Sequence, residues 1–267
     1  MPAPYDTVTT VLNAARTRLN DRVEALAAIS GKLLDNTQAF TQTVVNDAWR
    51  KLQAQLADLG YQGLQQELTF TNVGASLSVD PAVEVNISYD GYFNGSATVG
   101  APILPQTFIR PYRLWERANG SAALMTEMDE IPNGLPAVAK ANWNRQWQWR
   151  NDALYMPGAL LATDIRISYA QLLADFVDVG STPWYAASVP IMRCTDSFAD
   201  YICREISIAR EDMEGAAMFQ ASAEANAQQI LNRDSAEPKR IRKVSEYQKM
   251  ADRYTPAVGP NTQPIKR

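Results

Sequence analysis

Histidine is absent from all 267 residues. That removes Ser-His-Asp and Cys-His nucleophilic catalysis, histidine-ligated zinc, and the side chain that most often serves as a general base near neutral pH. Cysteine is nearly absent. Cys194 and Cys203 stand alone, nine positions apart, too few for a four-cysteine zinc site or a disulfide framework. Cys203 falls in an apolar helical pattern and reads as a small core residue. No Gly-x-x-x-x-Gly-Lys-Ser/Thr loop and no Gly-x-Gly-x-x-Gly fingerprint occurs, so nucleotide cradles of those kinds are excluded. No run of eighteen apolar residues is available to span a membrane. The opening MPAPYDTVTT lacks a basic stretch followed by an apolar one, so no secretory signal is expected. Without a secretory signal, the Asn-x-Ser matches at Asn86, Asn94 and Asn119 are read as turns rather than glycan sites. The chemistry left to an enzyme of this composition is carboxylate chemistry.

What is present is a charge asymmetry. From Pro238 to Arg267 there are eight basic residues and two acids, a net of +6, while the whole chain carries −4, leaving −10 on the first 237 residues. The basic positions Lys239, Arg240, Arg242, Lys243, Lys249 and Arg253 form the densest part. With little apolar surface, such a segment is expected to order only against something negative: an acidic protein surface or nucleic acid. These six residues are the candidate interface. No motif for base recognition accompanies them, so only non-specific contact with DNA is open to them.

Hydrophobic periodicity divides the rest. Val8, Val11/Leu12, Ala15, Leu19, Val23, Leu26 and Ile29/Leu33 recur at helical steps and predict a helix from about Tyr5 to Leu34. Asp35-Asn36-Thr37 breaks it, and a second helix with Phe40, Val44, Ala48, Leu52 and Leu56 on one stripe runs to Leu59, stopped by Gly60. From Gln66 to Tyr169 the period becomes two. Val83–Tyr89, Trp147–Tyr155 and Ile165–Tyr169 alternate apolar and polar residues, as in strands with one wet face. Asp90-Gly91, Asn94-Gly95 and Asn119-Gly120 signal turns. Thr195-Asp196-Ser197, with Asp200 three beyond Ser197 as in a capping box, opens a third long helix over about 197–233, ended by Pro238. The expected fold is therefore α+β: an N-terminal helical hairpin (1–62), an inserted antiparallel β domain (63–190), a C-terminal long helix completing a bundle (191–237) and an extended basic arm (238–267).

Two clusters invite chemistry. Trp143, Trp147 and Trp149 could stack on sugars or bases, although parity places Trp147 and Trp149 on the apolar side of a strand. Glu127, Asp129 and Glu130 could form the acid pair of a glycosidase, but they lack the order of a calcium loop and precede Pro132-Asn133-Gly134, which suggests an exposed turn. A carbohydrate-binding or glycan-active virion protein is the competing reading that these clusters keep open.

Three stretches in order, Ile109–Arg117 (IRPYRLWER), Gln146–Ala159 (QWQWRNDALYMPGA) and Asp164–Tyr169 (DIRISY), followed by Val189-Pro190-Ile191 and a helix near Phe198, resemble the neck proteins of tailed bacteriophages, the head–tail connector or portal adaptor subunits. The resemblance implies a non-enzymatic structural protein of the virion neck, assembled in the host cytoplasm, with no cofactor, metal or catalytic residues. It implies a homo-oligomeric ring, commonly of twelve copies, around the DNA exit channel, with the portal above and another neck or tail protein below, and no membrane. The β domain is larger than the simplest helical adaptors carry.

Overall fold

The computed structural model of the protein describes residues 5–19 and 39–234. Within them the chain is α+β, with four helices and two β-sheets. Helix α1 (Val8–Arg18) turns Val8, Val11, Leu12 and Ala15 inward. The expected continuation of this helix to Leu34 lies outside the described residues, as does the arm 238–267 with all six candidate interface residues, Lys239, Arg240, Arg242, Lys243, Lys249 and Arg253. Helix α2 (Ala39–Asp58) falls where its stripe places it, burying Val44, Ala48, Leu52 and Leu56. Gly60, at φ +75°, ends it: its N–H donates to Ala57 O (3.0 Å) and that of Tyr61 to Leu56 O (2.9 Å). This is a Schellman stop, in which the residue past the helix takes the left-handed conformation most accessible to glycine.

The expected third long helix is instead two. Helix α3 (Thr195–Ala209) and helix α4 (Met213–Asp234) fold back on one another. The break reuses the geometry found at Gly60. Glu211 sits at φ +63°, its N–H donates to Ile208 O (3.0 Å), and the Asp212 N–H donates to Ser207 O (2.9 Å). Asp212 then caps α4, its Oδ1 accepting from the Gly215 N–H at 2.9 Å. The capping box also dissolves. Ser197 lies inside the first turn of α3 and donates to Ala223 O on α4 (2.8 Å). Asp200, 2% exposed, accepts from Ser222 and Asn226 of α4 and pairs with Arg18 of α1. The start of α3 is covered by α1 and α4, so its polar side chains are spent on neighbours rather than on its own N–H groups. Trp49, Phe176 and Phe198 meet at the centre of this helical core, with centroids 5.3–6.0 Å apart. Cys194 and Cys203 are buried and unpaired there, and burial pushes both thiols up to about 12.

The strands form a sandwich. One sheet orders β1 (Gln65–Val73), β10 (Thr163–Gln171), β5 (Phe108–Ala118) and β6 (Thr126–Glu127). The other orders β4 (Thr98–Val99), β3 (Tyr92–Phe93), β2 (Val85–Ile87), β9 (Ala153–Met156), β8 (Gln146–Arg150) and β7 (Asp129–Glu130). Their facing residues, among them Ile87, Leu114, Trp147, Leu154, Ile165 and Ile167, make a second core. All ladders are antiparallel except β7–β8.

Three expectations change here. The segment read as one strand over 146–155 is a hairpin, because Asn151 and Asp152 both take positive φ (48° and 53°) as a two-residue turn of the primed type requires. Tyr155 therefore leaves the parity assigned to it, while Leu154 and Met156 face the core. Strand β10 has no wet face. Ile165, Ile167 and Tyr169 fill the sandwich, and on the other side Asp164 and Ser168 are buried in hydrogen bonds and Ala170 joins the helical core. Asn86 sits within β2 rather than in a turn, whereas Asn94 and Asn119 do lie in turns.

Candidate functional site

The two sheets share a corner. The chain leaves the first sheet after Glu127 and enters the second at Asp129, with Met128 between them as the hinge pin. Met128 is 4% exposed, and its N–H donates to Leu114 O at 2.9 Å. Asp129 then pairs in parallel with Gln146, its N–H donating to Arg145 O at 2.8 Å. Glu127 and Asp129 flank a buried residue on alternating backbone and so share the outward side. The acid run is thus a pair of short edge strands, exposed as expected but not a turn.

Opposite this corner stands the loop 143–145, held from below. Glu116, 2% exposed on β5, accepts from Asn144 N (2.9 Å) with one carboxylate oxygen and from Arg145 N (2.6 Å) with the other. Asn144 passes the restraint on, its Oδ1 accepting from Gly158 N at 3.1 Å. Arg145 is fixed at φ +59°, a left-handed conformation uncommon for any residue but glycine and sustained here by the bond from its N–H to Glu116. Between corner and loop lies a cleft of about 480 Å³ lined by Glu116, Thr126, Glu127, Asp129, Trp143 and Arg145. A second hollow of about 270 Å³, reaching Arg113 and Glu130, shares Glu127 and Asp129.

The charges here are lightly used. Arg113 approaches Glu127 only to 3.9 Å, with both side chains more than half exposed, an arrangement that contributes little in water. Among the described residues Asp129, Glu130 and Arg145 form no ion pair. The aromatic side is open too. Elsewhere on the sandwich, Arg166 lies 4.6 Å over the Trp115 ring and Arg150 lies 3.9 Å over Tyr155. Trp143, 36% exposed, carries no such cover among the described residues. The cleft can therefore receive a donor-rich group that stacks on an indole and gives hydrogen bonds to carboxylates. Among the described residues no three histidine, cysteine or acidic side chains converge as a metal site.

Of the residues singled out by sequence, the fold unites Trp143 with Glu127 and Asp129 in one cleft, while Trp147 borders the second hollow beside the same acids and Glu130. Trp147 is 1% exposed inside the sandwich, its Nε1 donating to Met128 O at 3.3 Å, and Trp149 is half-buried against Phe108. Glu116 and Arg145 were not anticipated. Their only sequence signal is a charged residue at an inward-facing strand position and a basic residue ahead of the strand QWQWR, neither of which reveals that one holds the other's backbone.

No family model matches the chain, and no curated protein matches it. Among the described residues no helix is long and apolar enough to cross a membrane.

Proposed function

We propose that this protein is a structural subunit of a bacteriophage neck. Its copies close a homo-oligomeric ring, commonly of twelve, that joins the portal to the next neck or tail component around the DNA exit channel. In this reading the helices form the bundle that packs between copies, and residues 238–267 form an assembly arm. The sequence resemblance supplies the assignment, and one structural observation supports it most. Helix α4 is a long helix used on one side only. Ala216, Ala223, Ala227 and Ile230 turn inward, while Met213 and Met218 are 67% and 62% exposed. Ile208, at the end of α3, is 38% exposed. Exposed apolar side chains in the first turns of α4 and at the end of α3 are costly in an isolated subunit and are what a neighbouring copy would cover.

The test is location and copy number in the particle. Antibody-labelled virions should carry the protein at the head–tail junction, and two-dimensional averages of isolated necks should show rotational symmetry. Label on the head shell or tail tip, or a single copy per particle, would overturn the reading.

The second reading, a glycan-binding or glycan-active virion protein, is favoured by the meeting of Trp143 with two carboxylates in one cleft. It requires retention on a glycan array that is lost in Trp143→Ala, or release of reducing ends from a polysaccharide that is lost in Asp129→Asn.

A further inference from the structure

We infer that the cleft beside Trp143 receives lysine and arginine side chains from the segment 239–253 of a second copy of this chain. The inference rests on the ring reading and names where the arm lands.

The chemistry of the cleft selects the ligand. A guanidinium is planar, stacks on an indole face, and donates along its edge to carboxylates. An ammonium makes the same two contacts less directionally. The cleft offers both halves of that recognition: Trp143, 36% exposed and under no cation among the described residues, and the carboxylates of Glu127, whose ion pair with exposed Arg113 spans 3.9 Å, and Asp129, which has no ion pair among the described residues. The sandwich already uses this pairing twice within the chain, at Arg166–Trp115 and Arg150–Tyr155. The third aromatic is left for a cation from elsewhere.

The chain carries a matching cation source. Six basic residues fall between Lys239 and Arg253, on a segment of net +6 beside a body of −10. Chain length permits the contact. Lys239 and Arg253 lie 5 and 19 positions beyond Asp234, the end of α4, and an extended chain covers roughly 3.3 Å per residue, so these residues reach roughly 16 to 60 Å from it. The helical core grips β5 at Ile109 and Tyr112, with Tyr112 Oη donating to Ala57 O, and the cleft opens at Glu116 further along that strand. An arm of one copy seated in the cleft of the next is the head-to-tail contact that closes a ring. Arg145 at the rim would meet an acid of the arm, Glu246 or Asp252, or remain in water.

Assembled particles containing a mixture of isotopically heavy and light full-length chains can be treated with a carbodiimide, which joins lysine to carboxylate with no spacer. The expected links are Lys239, Lys243 or Lys249 to Glu127 or Asp129, and they should include heavy-to-light pairs. Trp143→Ala, which leaves every cross-linking group in place, should lower their yield about fivefold. The paired reversal Glu127→Lys with Asp129→Lys should impair incorporation, and adding Lys239→Glu, Arg240→Glu and Lys243→Glu should restore it. Circular dichroism of each variant checks that the body is folded, and the exposed cleft positions make that the expected result. Links only within one isotope, links from the arm to another protein, or unchanged yield in Trp143→Ala would overturn the inference while leaving the ring intact. Retention of the cleft on a glycan array would overturn it as well. Absence of multiple copies from the neck would instead overturn the ring reading itself.

Discussion

Asp164 shows how much a single side chain can organise. It is 3% exposed on the central strand of its sheet and accepts from Asn72 N (3.1 Å), Asn119 Nδ2 (2.9 Å) and Arg117 Nε (3.0 Å), tying β1, the turn after β5 and β5 itself to β10. Burial alone would raise its pKa, but the hydrogen bonds from Asn72, Asn119 and Arg117 outweigh it and hold the carboxyl below its ordinary value. Because the folded value lies below the unfolded one, the stabilisation is fully present above the unfolded value of about 4 and is lost as pH falls through the folded value. Asp164→Asn should therefore cost about 1–3 kcal/mol in urea unfolding at pH 7. The gap between wild type and variant should close as the pH is lowered below about 4. A gap that stays constant with pH would mean that the charge is immaterial. Glu116 is the corresponding residue at the cleft: Glu116→Gln leaves one of two backbone N–H groups poorly served and should destabilise by about 1–2 kcal/mol.

At the scale of elements, the two Schellman stops explain what the sequence reveals and what it hides. Helix α2 ends at Gly60, and glycine announces that stop in the sequence. Helix α3 ends in the same hydrogen-bond pattern around Glu211, a residue that ordinarily favours a helix interior, so in the sequence the periodicity of Ile206, Ala209, Met213 and Ala216 runs on unbroken. Tertiary packing decides against it. Folding α4 back puts Ala223 against Ser197 and lets Ser222 and Asn226 satisfy buried Asp200. The left-handed Glu211 is the strain accepted for that arrangement. Glu211→Gly should relieve it and stabilise the protein by about 0.5–1 kcal/mol. Asp212→Ala should remove the α4 cap and cost about 1 kcal/mol. Both are read from chemical denaturation midpoints, and opposite signs for the two would show that the turn is held some other way. The hairpin at Asn151-Asp152 escaped for the same reason: neither residue is glycine. The candidate site was half legible. Trp143 and the acid run stand out in the sequence, but their meeting depends on the parallel register that sets Asp129 beside Gln146, and no local pattern encodes that pairing. By contrast Ile165, Ile167 and Trp147 are core residues as their alternation indicates, since a strand with a partner sheet must bury one parity whatever its register.

For the whole molecule the governing quantity is the separation of charge. The described residues pack two cores, one helical and one within the sandwich. A segment of net +6 following a body of −10 is expected to act between molecules, where each pair is weak but repetition around the proposed ring would add them by avidity. Two consequences can be measured together. Truncation after Glu237 should leave the circular dichroism spectrum and the unfolding midpoint close to those of the full chain, because every described residue of both cores precedes the cut. The same truncation should reduce incorporation into the neck by an order of magnitude or more, about what losing several weak contacts at once produces. Incorporation of the full chain should in turn fall as salt is raised from about 0.1 to 1 M, across which the screening length shrinks from about 10 to 3 Å. A truncated protein that incorporates at the full chain's level would remove the arm from assembly. Incorporation that holds through 1 M salt would show that the contact is made by apolar residues such as Ile208, Met213 and Met218 rather than by charge.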